Sequence, residues 1–122
     1  MVIQDYFNRA FIGLASQGFT RSTVSNAGVD DLVCALRGDG GARCSLGWLV
    51  DDADYTPALE YEDVRLSCAL QRAIDADVVW DRVLIEFITF LQRCHDTSTG
   101  PYNMFCQMEA LANDYRLEVP CV

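Results

Sequence analysis

Apolar positions recur at helical spacing in three stretches of this 122-residue chain. Ile3, Tyr6, Phe7, Ala10, Phe11 and Leu14 form one stripe and predict a helix from Val2 to about Gln17, with Gly18 placed to end it. Between Val78 and His95, one face carries Val79, Trp80, Val83, Leu84, Phe87, Ile88 and Leu91, and Ile85 and Phe90 widen it. So broad an apolar arc predicts the central helix of the core. Thr97 to Pro101 interrupts the pattern, and Met104, Phe105, Met108, Leu111, Ala112 and Tyr115 predict a last helix from Pro101 to about Arg116.

The remaining stretches are polar or short. Residues 19–31 carry Ser, Thr, Asn, Gly and Asp with little periodicity and read as a loop. Leu32 to Arg37 and Ala42 to Val50 flank Gly38-Asp39-Gly40-Gly41, a turn signal that predicts an antiparallel hairpin. Its register would decide whether Cys34 and Cys44 lie on one face or on opposite faces. Thr56-Pro57 suits a helix start, with a helix over part of 58–75 that Tyr61-Glu62-Asp63 interrupts. The expected fold is a single α+β domain over 1–122: three to four helices with a short antiparallel β-hairpin. At this length one core is available and two are not.

Composition narrows the function. Half the residues are hydrophobic, which argues against disorder. Eighteen acidic residues against nine arginines, with no lysine, give a net charge of −9. Binding nucleic acid directly through its phosphates needs a concentrated basic face, so that class is excluded, whereas a basic partner suits the charge. The N-terminus meets Asp5 and Arg9 before any long apolar run, and Val78 to Leu91 is broken by Asp81, Arg82 and Glu86. Neither a signal peptide nor a membrane span is expected, and the chain reads as cytoplasmic.

Several residues carry candidate chemistry. Asp51, Asp52, Asp54, Glu60, Glu62 and Asp63 put six carboxylates in thirteen residues, which must face water or a cationic partner. Trp48 and Tyr55 stand beside them as candidate anchors, so the expected partner-binding set is Trp48, Asp51, Asp52, Asp54, Tyr55, Glu62 and Asp63. The only histidine, His95, lies between Cys94 and Asp96 at a predicted helix end, where the dipole and Asp96 would hold it. Adjacent helical residues point about 100° apart, so Cys94 is badly placed to pair with it, although another cysteine could approach. The six cysteines contain no CxxC pair, and in a reducing compartment they are thiols. No metal or cofactor is expected. The alternative reading is a small Cys/His metal-binding structural or regulatory protein.

Arg43-Cys44-Ser45-Leu46-Gly47-Trp48-Leu49-Val50, then Asp51-Asp52, then Tyr55-Thr56-Pro57-Ala58-Leu59-Glu60, resembles a pattern found in small bacterial and phage proteins: an RCxxGxLI arm, acids and a YxPxxE stretch. Leu91-Gln92-Arg93-Cys94-His95-Asp96 is similar to their LQxxHD element. Tyr61 departs from the glycine common at its place. The resemblance implies a phage or mobile-element setting and no reaction. The expected function is a non-enzymatic acidic protein-interaction module. Its sharper form is a phage-encoded inhibitor that covers a basic nucleic-acid-binding surface of a host defence complex.

Overall fold

The structure is a computed structural model that describes residues 2–25 and 32–122. The regular secondary structure is mainly helical: α1 (Val2–Ser16), α2 (Cys68–Ile74), α3 (Arg82–Asp96) and α4 (Pro101–Asp114). Two three-residue strands, β1 (Thr23–Ser25) and β2 (Leu32–Cys34), pair antiparallel with Thr23 opposite Cys34 and Ser25 opposite Leu32. The helix-rich expectation therefore holds, and α1, α3 and α4 fall where periodicity puts them. The loop expected over 19–31 is an ordered strand at 23–25, and its residues 26–31 lie outside the described residues.

The expected hairpin does not form. β2 ends at Cys34 and pairs with β1, while 42–50 contains a single 3-10 turn at Leu46–Trp48 and no strand. Three contacts take the backbone groups that a hairpin would use. The Glu60 carboxylate accepts the Leu36 and Arg37 N–H groups at 2.8 and 3.1 Å. The Ser22 hydroxyl donates to the Ala35 carbonyl at 2.7 Å and lies 3.1 Å from that of Ala42. Gly47 lies so close to the Leu36 carbonyl that any β-carbon there would collide with it. Side chains and one glycine contact thus replace the cross-strand ladder, and the Gly38–Gly41 turn joins two irregular arms.

The helix expected within 58–75 starts late. Pro57 opens only a 3-10 turn, Pro57–Leu59, and Tyr61 follows at φ +67°. The Asp63 carboxylate accepts the Arg65 N–H at 2.9 Å, and the Asp63 carbonyl accepts those of Leu66 and Ser67. Ser67 then caps α2 by accepting the Leu70 N–H at 3.1 Å. In α3 the same device moves the start past the apolar Val78–Trp80, because Asp81 is the cap and accepts the Leu84 N–H at 2.9 Å. Val79 and Val83, expected to face inward, are exposed.

The core joins all four helices. Phe7, Phe11 and Leu14 of α1, Leu70 and Ile74 of α2, Phe87, Ile88 and Leu91 of α3, and Met104 and Met108 of α4 are buried together with Leu49, Val50, Leu59 and Val64 from the connecting segment. Phe11, Phe19 and Phe105 meet at 5.3–6.0 Å between ring centroids, and Phe87 meets Tyr115 edge-on at 4.9 Å. The C-terminal tail is tied to α1 by two hydrogen bonds between Gln4 and the Glu118 backbone. Among the described residues, no helix is long and apolar enough to cross a membrane.

Candidate functional site

Arginines are folded into the acidic segment. Arg37 donates to the Gly47 and Val50 carbonyls at 2.8 and 2.7 Å and reaches the Asp52 carboxylate at 3.1 Å. Arg43 meets the same Asp52 oxygen at 3.1 Å, and Arg9 of α1 meets Asp51 at 3.1 Å. The Arg37 and Arg43 guanidiniums sit beneath the Asp52 carboxylate: their side chains are 18% and 25% exposed and that of Asp52 75%. Arg65 grips Asp63, which holds that carboxyl below the usual range. Glu60 is consumed by two backbone N–H groups and the Tyr55 hydroxyl, which donates to it at 2.7 Å. Of the six acids, Asp54 and Glu62 take part in no ion pair or side-chain hydrogen bond among the described residues.

The two candidate anchors are likewise engaged. The Trp48 indole lies against Gly13 of α1, donates to Gln17 at 3.3 Å and carries the Arg43 guanidinium at 4.9 Å from its ring centre. The Tyr55 ring lies under Arg37 at 4.6 Å. Trp48 and Tyr55 therefore fasten the 43–55 segment to α1 and to Glu60.

Two of the apolar residues presented to solvent stand a few positions on; Val79 and Tyr102 are exposed to a similar degree elsewhere. Tyr61 is 75% exposed and Leu66 84%, at the two ends of a short loop. That loop is held from below. Leu59 and Val64 are buried, Glu60 is fixed as described, and Gln71 of α2 donates to the Val64 carbonyl at 2.7 Å. Tyr61 sits in the left-handed backbone region that favours glycine, so a strained aromatic is displayed on a pinned loop. Sequence reasoning missed both residues as anchors.

Behind this loop runs a cleft of about 330 Å³. Its floor is Leu36, Cys44, Leu46, Leu59 and Leu70, and Cys34, Tyr61, Thr89, Arg93 and Asp96 stand at its edges. A cysteine other than Cys94 does approach His95 here, and it is Cys34. Cys34 Sγ, an imidazole nitrogen of His95 and an Asp96 carboxylate oxygen lie within 4.8 Å of one another.

The hydrogen bonds around His95 decide what this trio can do. His95 is fully buried, and its Nε2 accepts the Ser22 N–H at 2.7 Å. That bond leaves the ring proton on Nδ1, which donates to Asp96 at 2.8 Å. Both imidazole nitrogens are thus used. A metal at Nδ1 would move the proton to Nε2, against the Ser22 N–H, and a metal at Nε2 would strand that N–H in the interior. Arg21 already donates to Cys34 Sγ at 2.9 Å, which sets a cation where a metal ion would bind. The trio does not fit a metal. It offers no free imidazole lone pair to act as base toward the thiol either.

Cys106 is partly exposed, as Cys34 is. Cys44 and Cys94 are buried, and burial pushes both up to about 12. Cys68 and Cys121 are exposed, and all six described cysteines are free. No protein-family model, curated protein or solved structure matches this chain.

Proposed function

We propose that the chain is a non-enzymatic protein-interaction module that docks through the loop 60–66, with Tyr61 and Leu66 as apolar anchors and Glu62 as the acidic contact between them. One observation carries this reading: two large side chains, 75% and 84% exposed, stand on a loop whose backbone is fixed from beneath by Glu60 and Gln71. A pre-ordered loop loses little entropy on binding, and Tyr is a frequent interface anchor. The strain at Tyr61 supports it further, because glycine would serve the fold better there. With a net charge of −9, the complementary partner is a basic protein surface. A host complex that binds nucleic acid has such a surface, so inhibition of one is the finer form of the proposal.

The test is capture of a partner from lysate of the native host, its identification by mass spectrometry and titration of the purified pair. Tyr61→Gly with Leu66→Ser is expected to weaken affinity about thirtyfold or more, as loss of a hot-spot worth about 2 kcal/mol would. Glu62→Arg should weaken it further at low salt. Reversal of Asp52 is a poor probe, since it sets a third guanidinium against Arg37 and Arg43. A basic partner bound equally well by the double variant would sink the proposal.

A further inference from the structure

We infer that the cleft behind the loop 60–66 takes an arginine side chain presented by a basic partner. The inference rests on that loop as the docking surface and names the residue that the partner inserts beside it.

The first ground is the shape and polarity of the cleft. Leu36, Leu46, Leu59 and Leu70 give it a buried aliphatic floor, and its volume of about 330 Å³ lies at the small end of ligand sites. That space suits one long side chain and not a helix. Arginine lays its methylene stem along apolar surface and keeps its charged head in water, so it matches the floor and the rim together. An inorganic cation would leave the floor uncovered.

The second ground is charge. The lining carries the carboxylates of Glu60, Glu62, Asp63 and Asp96 against the guanidiniums of Arg65 and Arg93. Arg65 is held on Asp63 at 2.6 Å. Arg93 sets its guanidinium over the Phe90 ring, 5.8 Å from the ring centre, and Phe90 does not line this cleft. Arg21 touches Cys34 from outside the lining, and the acids stay in excess even with Arg21 counted. In a chain of net charge −9 the cleft therefore favours a cationic occupant.

The third ground is the acceptors left open at the rim. Glu60 is filled by the Leu36 and Arg37 N–H groups and the Tyr55 hydroxyl. Asp96, by contrast, meets both His95 and Gln92 through Oδ1, so its Oδ2 has no partner among the described residues. Glu62 has no side-chain partner among them either. A guanidinium spreads its N–H donors around a plane and stacks on aromatic faces, whereas an ammonium is a compact, strongly hydrated point charge. Tyr61, which lines the same cleft, supplies the aromatic face.

The experiment titrates the isotope-labelled full chain at low salt with N-acetylarginine amide and with its citrulline and lysine counterparts, and follows the backbone amide signals. The arginine probe is expected to bind with a dissociation constant of about 1 mM, about tenfold tighter than the neutral citrulline probe, and to shift signals around the cleft. Glu62→Gln should weaken that binding about threefold or more. Glu109→Gln removes an exposed acid of α4 that does not line the cleft, and should leave it unchanged. The citrulline or lysine probe bound as tightly as the arginine one, shifts spread over the acidic surface, or equal losses in the two variants would overturn the inference. The comparison of probes on the wild-type chain stands whatever the variants do. Because no partner takes part in this titration, its failure removes the arginine and leaves the docking loop standing. A partner indifferent to Tyr61→Gly with Leu66→Ser removes the docking loop instead.

Discussion

The Glu60 carboxylate holds the Leu36 and Arg37 N–H groups and the Tyr55 hydroxyl at once, so it links the segment after β2 to the loop that carries Tyr61. Glu60→Ala strands two backbone donors, and a loss of about 2–4 kcal/mol is expected in urea unfolding. Gly13 is a second such position, because a β-carbon there would enter the Trp48 indole. Gly13→Ala gains helix propensity of about 1 kcal/mol but must push the ring off α1, so a net loss of about 1–2 kcal/mol is expected. Tyr61→Gly goes the other way. Relief of its positive φ should leave the protein as stable or up to about 1 kcal/mol more stable, while binding falls. A variant that destabilised the fold and kept its partner would reverse the reading of this residue. Glu60 and Tyr61 are visible in the sequence as residues; their partners are not, since the nearest backbone donors to Glu60 lie 23 and 24 positions away.

Elements whose signal is local are legible in the sequence. α1, α3 and α4 follow from apolar spacing, because a stripe at helical period has one way to bury itself. The start of α3 is set by Asp81, whose replacement by Ala should cost about 1 kcal/mol, read as a lower unfolding midpoint. The hairpin expectation fails because Asp-Gly signals a turn without naming the segments it joins. Here the strand partner of Leu32–Cys34 is Thr23–Ser25, and the arm after the turn is claimed by Gln17, Ser22 and Gln92. Gln92 lies in α3, 46 positions from the Leu46 N–H it accepts. Contacts at that separation leave no pattern in either segment.

Across the whole molecule, charge and burial set the pH response. Cys44 and Cys94 are raised from 9.0 to about 12 by burial, so the folded chain keeps protons that the unfolded chain releases. Their contribution is fully present below pH 9 and is lost as pH rises toward about 12. Urea midpoints should fall steeply across that window, by up to about 1.4 kcal/mol per pH unit for each thiol, and a flat profile there would contradict the buried placement. Metal offers a further check: because both nitrogens of His95 are bonded, added zinc should not raise the thermal midpoint, and a clear rise would reassign the trio. From the sequence alone came the helix-rich class, the acidity, the three long helices and the Asp96 partner of His95, because periodicity, composition and neighbouring residues are local facts. Tertiary structure decided where the charge is neutralised, which aromatics are fasteners and which are displayed, and which cysteine meets Arg21. Those outcomes depend on hydrogen bonds and ring contacts between segments far apart in the chain, which only the folded geometry brings within reach.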